Sequence, residues 1–89
     1  MIYVDALFPC VATSAFPYDA KCYMIADTLP ELRAFAEKLE IRPMQCKQFS
    51  YYLLKWQRAA AIKAGACTDI DEFRKCWATW KEIYARNKA

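Results

Sequence analysis

The order of apolar and polar residues along the chain alternates between strand-like and helix-like patterns. Runs rich in β-branched and aromatic residues predict strands at residues 2–4, 20–26 and 48–53. Apolar residues spaced three and four apart predict helices at residues 28–40, 55–64 and 69–87. The proline-containing residues 6–19 predict a surface loop. This order favours an α/β fold on the α+β borderline: a small layer sandwich, in which a short, partly parallel sheet of about three strands packs against the helices.

Local sequence signals mark where two of these helices begin and end. Thr28 and Glu31 have the spacing of a capping box, and Pro30 falls in the first turn, where its missing N–H costs nothing. Gly65 stands where the C-terminal cap of the next helix is expected. These signals support the helix assignments independently of the apolar spacing.

The composition indicates one small domain and narrows its chemistry. The 89 residues are 57% apolar with a single glycine, which favours one packed domain over residues 1–89 and argues against glycine-rich phosphate loops. The chain has no histidine, the usual general base near neutral pH. Its five cysteines lack the paired spacing of a zinc site. We therefore favour a non-catalytic protein and expect neither a metal nor a cofactor.

The apolar N-terminal residues do not have the pattern of a targeting segment. They lack a basic region, and Asp5 interrupts the apolar run. No apolar run approaches the roughly 18 residues that a membrane span requires. We expect a cytoplasmic protein without a membrane partner.

Charge is concentrated in the middle of the chain. Residues 41–68 carry five bases and no acid, and aromatic residues alternate with these bases. The candidate partner-binding residues of this segment are Lys47, Tyr51, Tyr52, Lys55, Trp56, Arg58 and Lys63. Such a pattern suits a protein interface, because tyrosine, tryptophan and arginine are typical anchors, or nucleic acid, because cations neutralise phosphates while rings stack on bases. An ordinary solvated face, with half of the aromatics buried by strand alternation, is the third interpretation.

Two aspartates each follow a predicted strand and form a candidate ligand site with Tyr23. If the strands are parallel neighbours, Asp5 and Asp27 meet at one sheet edge, where carboxylate oxygens can hold Mg²⁺. The alternative is structural, because Asp27 precedes Thr28 and an acid favours the positive end of a helix. We favour the structural role.

The last predicted helix carries an aromatic stripe. Its members are Phe73, Trp77, Trp80 and Tyr84. Such a stripe usually faces the core, and we favour that interpretation. A part left exposed would instead support a homodimer or capture a partner.

Three segments of the chain, in this order, resemble small bacterial and phage proteins grouped as domain of unknown function 4031. They read YVD at residues 3–5, CYMIADTLPELRAFAEKLEI at residues 22–41 and QRAAAIKAGA at residues 57–66. In that family, a Tyr-Val-Asp opening precedes Cys-His-Met-x-Ala-Asp-Thr, a helix, a His-Tyr-Asp segment and Lys-Arg-Ala-Leu-Ala. The resemblance covers residues 2–5 and about 20–66.

Several polar positions depart from the family pattern. Tyr23 replaces a histidine, Gln57 replaces a lysine, and residues 50–52 read Ser-Tyr-Tyr where the family has His-Tyr-Asp. The matching polar residues are Asp5, Asp27 and Arg58. The resemblance implies a phage or mobile-element origin and no chemistry through the replaced groups.

These observations favour a non-catalytic binding module that captures or inhibits a host macromolecule in the host cytoplasm, with a protein as the favoured partner. Its working surface is the basic and aromatic segment, with the last helix as an extension. The alternative is a nucleic-acid or nucleotide binder, assisted by a metal at Asp5 and Asp27.

Overall fold

A five-stranded antiparallel sheet forms the centre of the protein. The computed structural model describes residues 1–9 and 20–87. The strands are β1 (Ile2–Val4), β2 (Phe8–Pro9), β3 (Ala20–Ala26), β4 (Cys46–Lys47) and β5 (Ser50–Leu53). The helices are α1 (Leu29–Lys38), α2 (Lys55–Lys63) and α3 (Ile70–Asn87), and a short 3₁₀ helix covers Pro43–Gln45. The mixed class of helices and sheet is confirmed.

The predicted sheet, partly parallel with about three strands, is wrong. The strand order is β1-β3-β5-β4, β2 also pairs with β3, and every strand pair is antiparallel. After α1 the chain forms the two-residue β4, which runs in the same direction as β3. The two strands do not pair, because β5 lies between them. A two-residue strand carries no periodic pattern, so the sequence left it undetected.

The loop predicted at residues 6–19 lies outside the described residues from residue 10 onward. Its first part contains β2, which the sequence analysis missed. Val4 pairs with Met24, and Phe8 pairs with Lys21. Three residues separate Val4 from Phe8, whereas two residues separate their partners on β3. This extra residue forms a bulge around Asp5.

The sheet separates two helical layers. Side chains that alternate along the strands meet α1 and α2 on one face. The fully buried members there are Val4, Cys22, Met24, Ala26, Leu32, Ala36, Leu53 and Ala61. On the opposite face, α3 covers a smaller, mainly aromatic core with the buried residues Tyr3, Ile25, Phe49 and Phe73. The described residues therefore form a three-layer sandwich, in which α3 is the one helix on its side of the sheet.

The helix ends follow the local signals in the sequence. The Thr28 hydroxyl accepts a hydrogen bond from the Glu31 N–H at 3.4 Å. Gly65 has a φ of 107°, and the N–H groups of Gly65 and Ala66 donate to the carbonyls of Ile62 and Ala61. This pair of bonds is the Schellman arrangement, in which glycine at a positive φ closes a helix.

Candidate functional site

The bulge places Asp5 at a junction between the sheet edge and α2. The Tyr23 N–H donates to Asp5 Oδ1 at 2.7 Å, so the side chain replaces a backbone acceptor in the strand ladder. The freed Asp5 carbonyl accepts from Arg58 Nε at 2.8 Å. Asp5 and Arg58 thus hold β1 and α2 together.

A cavity of about 290 Å³ opens beside Asp5, between α3 and the sheet. Its lining residues are Asp5, Tyr23, Phe73, Arg74, Trp77, Ala78 and Lys81. The Tyr23 and Trp77 rings lie 5.4 Å apart, and the Phe73 and Trp77 rings lie 5.7 Å apart and nearly parallel. The cavity therefore combines aromatic walls with two cations and one carboxyl group.

Burial raises the pKa of the Asp5 carboxyl above its ordinary value. The hydrogen bond from the Tyr23 N–H and the charge of Arg58 act in the opposite direction without cancelling this effect. Burial also raises the pKa of the Cys22 thiol to about 12, which keeps it protonated and unreactive at neutral pH.

Asp27 does not join Asp5, because the condition for their convergence, that the two strands be parallel, is not met. Because β1 and β3 are antiparallel, Asp5 lies beside Tyr23 while Asp27 lies beyond the other end of β3. Tyr23 and Asp27 are four residues apart along the strand, which corresponds to about 13 Å. Among the described residues, no three histidine, cysteine or acidic side chains are placed to hold a metal ion.

Asp27 instead joins the start of the chain to the start of α1. Its side chain accepts hydrogen bonds from the Tyr3 hydroxyl at 3.1 Å and from the Met1 amino group at 3.2 Å. Asp27 is exposed and precedes the capping residue Thr28. These contacts support the structural interpretation of Asp27.

Replacing Tyr3 by phenylalanine is expected to reduce the loss of stability at alkaline pH. Burial, followed by the hydrogen bond to Asp27, raises the pKa of Tyr3 to about 12 from an ordinary value of 10.0. The unfolded chain therefore loses this proton first, and the folded state loses stability as the pH rises from 10 to 12. Thermal melting at about pH 9 and about pH 11 should show a smaller decrease for Tyr3→Phe than for the wild type. Equal decreases in melting temperature for the two proteins would contradict the assignment of this alkaline loss of stability to Tyr3.

The candidate partner-binding segment does not form one surface. Tyr51 is buried against α1 and α2, and Tyr52 is half-buried on the opposite sheet face, across from Tyr23. Arg58 is half-buried and bonded to Asp5. The exposed members are Lys47 on β4 and Lys55, Trp56 and Lys63 on α2.

The aromatic stripe of α3 packs onto the sheet. Phe73 is buried, and Trp77, Trp80 and Tyr84 are half-buried. Phe49 contacts all three of these half-buried rings, with ring centroids 4.9 to 6.0 Å apart. The Trp80 indole N–H donates to the Ala26 carbonyl at 2.7 Å. These contacts support the core interpretation of the stripe.

The comparisons with known proteins identify one family. The family described as "Protein of unknown function (DUF4031)" matches residues 2–78. The chain belongs to this family. Comparison with curated proteins and with solved structures finds no match in either set.

The residues predicted from the sequence to depart from the family pattern are buried or half-buried. Tyr23 and Tyr52 are direct cross-strand partners on the face that α3 covers, and Ser50 shares that face because side chains alternate along β5. Gln57 is buried and exchanges hydrogen bonds with Gln45. Tyr23 therefore joins the sheet to Trp77 of α3, and Gln57 joins α2 to the 3₁₀ helix.

Three residues that line the cavity were not predicted from the sequence: Arg74, Ala78 and Lys81. With Trp77 they follow the spacing i, i+3, i+4, i+7, which places all four on one side of α3. The sequence shows this spacing, but only the position of α3 on the sheet shows that these four residues line a cavity.

No helix in the described part of the chain is long and apolar enough to cross a membrane.

Proposed function

We propose that this DUF4031 protein is a non-catalytic binding module that holds an acidic macromolecular partner, with a protein favoured, through the outer face of α2. The observation that carries the proposal is the exposure of Trp56 between lysines. Among the described residues, Trp56 is the one aromatic side chain that lies mostly in solvent, with 65% of its surface exposed.

The outer face of α2 comprises Lys55, Trp56, Ala59, Ile62 and Lys63. All five are exposed, and at 3.6 residues per turn they cover about 120° of the helix circumference. The buried residues Gln57 and Ala61 lie on the opposite side. A tryptophan and an isoleucine therefore stand beside two lysines on a rigid element.

The charge of this region indicates the chemistry of the partner. Residues 41–68 contain no acid, so neither lysine has an acidic neighbour on α2. An acidic surface with a pocket for the indole ring would complement both features, and tryptophan is a common anchor at the centre of protein interfaces. The phage or mobile-element origin, and the capture or inhibition of a host macromolecule, belong to this proposal through the family resemblance.

Nucleic acid is the second candidate, because the same lysines could neutralise phosphates. Binding of unpaired bases usually requires several rings along a groove. On α2 a single ring is exposed, which favours the protein partner. The two candidates differ in their response to salt and to nuclease.

Site-specific photo-crosslinking tests the proposal. Benzoylphenylalanine is placed at residue 56 and, as a matched control, at residue 83 on α3, on the other side of the sheet. We expect a discrete protein adduct from bacterial lysate at residue 56 that survives nuclease and is missing at residue 83. The captured protein is then purified, and its affinity for the wild type is compared with that for Trp56→Ala and for Ile83→Ala.

Trp56→Ala should weaken binding at least about tenfold, and Ile83→Ala should leave the affinity unchanged. An adduct that disappears on nuclease treatment would establish the nucleic-acid candidate instead. Equal adducts at both positions, or unchanged affinity in Trp56→Ala, would overturn the proposal.

A further inference from the structure

We propose that the cavity between α3 and β3 binds a small aromatic anion, with its ring against Trp77 and its anionic group facing Arg74 and Lys81. This site lies across the sheet from the outer face of α2, so the inference does not depend on the proposed function. The ligand class is defined by chemistry: one or two fused rings carrying one carboxylate or phosphate group.

The cavity volume sets the size of the ligand. At about 290 Å³, the cavity is larger than the roughly 150 Å³ apolar cavities known to hold a benzene ring. One or two fused rings with a small substituent would fill it. A larger ligand would have to project into solvent.

The walls favour a flat ring. Tyr23, Phe73 and Trp77 present their aromatic faces and edges, with neighbouring ring centroids 5.4 and 5.7 Å apart. Trp77 also contacts Phe49, whose ring meets it edge-on with the centroids 4.9 Å apart. The ring of a ligand could contact these side chains at ordinary stacking or edge-to-face distances.

The charges beside the cavity favour an anion. Arg74 and Lys81 are exposed and both line the cavity. Within residues 1–9 and 20–87, the ion pairs of α3 join Lys75 to Glu72 and Arg86 to Glu82, and neither cavity cation takes part. An anionic group would find two cations available.

The cavity also contains one carboxyl group, that of Asp5. Its Oδ1 accepts a hydrogen bond from the Tyr23 N–H, which partly compensates the negative charge. Its remaining charge opposes an anionic ligand. This opposition makes Asp5 a useful control position.

A second cavity of about 310 Å³ adjoins the first and shares Trp77 and Lys81 with it. Its other lining residues include Phe49, Tyr84 and Ala85. Ala78 belongs to the first cavity and Ala85 to the second, and both are exposed on α3. A larger side chain at either position therefore blocks one cavity and leaves the other open.

Calorimetric titration with two matched probes tests the inference. Naphthalene-2-carboxylate and the neutral naphthalene-2-carboxamide have nearly the same shape, and 2-naphthyl phosphate serves as the phosphate arm. We expect the wild type to bind the carboxylate at least about fivefold more tightly than the amide, because two cations face the ligand. The relative affinities of carboxylate and phosphate then distinguish the two anionic groups.

The variants assign the binding to this cavity. Ala78→Leu should weaken carboxylate binding at least about tenfold, whereas Ala85→Leu should not change it. The double variant Arg74→Gln/Lys81→Gln should lose the preference for the carboxylate and bind it no more tightly than the amide, because the charge of Asp5 remains. Asp5→Asn keeps an acceptor for the Tyr23 N–H and should tighten carboxylate binding.

Absence of binding by the wild type, equal affinity for the two naphthalene probes, or full binding by Ala78→Leu would each overturn the inference. The substituted positions on α3 are exposed, so the fold should be retained, and thermal melting of each variant checks this. The charge variants leave the apolar walls unchanged and provide a test that does not depend on filling the cavity.

Discussion

Replacing Gln57 by lysine is expected to lower the free energy of unfolding by about 3–5 kcal/mol. Gln57 and Gln45 are only 5% and 6% exposed, and their amides exchange two hydrogen bonds of 2.8 and 3.1 Å. Gln57 Oε1 also accepts the Leu54 N–H at the start of α2. A lysine would bury a charge and, having no acceptor, would leave the Leu54 N–H without its partner and remove the hydrogen bond from Gln45 Nε2, which keeps only the Tyr52 carbonyl. Urea denaturation followed by circular dichroism measures the change.

A double-mutant cycle provides the control for Gln57. Gln45→Leu, Gln57→Leu and the combined variant should show a coupling energy of about 1–2 kcal/mol, because each single change removes both amide–amide hydrogen bonds and leaves the partner with its one remaining bond, to the Tyr52 carbonyl or the Leu54 N–H. A Gln57→Lys variant within about 1 kcal/mol of the wild type would contradict the buried pairing. It would also weaken the structural role assigned to Gln57.

Replacing Trp80 by alanine is expected to cost about 3–4 kcal/mol of stability. The indole stacks on Phe49 at 6.0 Å and donates its N–H to the Ala26 carbonyl at 2.7 Å. The substitution removes both contacts and opens space beneath α3. Among the described helices, only α3 covers this sheet face, so neither α1 nor α2 can compensate.

Two matched variants separate the contributions of Trp80. Trp80→Phe keeps a ring but removes the hydrogen bond, and it should cost about 1 kcal/mol from that bond alone. Ile83→Ala, on the exposed side of α3, should stay within about 0.5 kcal/mol of the wild type. If Trp80→Ala melted like the wild type, the stripe would not be core, and the homodimer interpretation of α3 would regain support.

Both changes bear on the surfaces proposed to bind ligands. Gln57 is buried beneath the outer face of α2 and fixes the first turn, in which Trp56 stands. Trp80 holds α3 against the sheet and thereby maintains the cavity beside Trp77. The stability measurements thus show whether loss of binding in other variants reflects a changed contact or a changed fold.

Patterns in the sequence were sufficient to predict where helices begin and end and to identify the family. The cap at Thr28 and the closing glycine at residue 65 depend on side chains within a few positions of each other, so they are readable without the fold. The family match depends on the order of segments along the chain and covers residues 2–78. The prevalence of apolar and aromatic residues likewise indicated a packed core of helices and sheet.

The tertiary structure alone decided the strand directions, and with them the candidate sites. Insertion of β5 between β3 and β4 depends on pairing energies between distant segments, which no local pattern reports. Antiparallel pairing of β1 with β3 then separated Asp5 from Asp27. Strand alternation buried Tyr51, while the orientation of α2 left Trp56 in solvent. The cavity at Trp77 exists because α3 lies across that one sheet face, a contact between residues far apart in the chain.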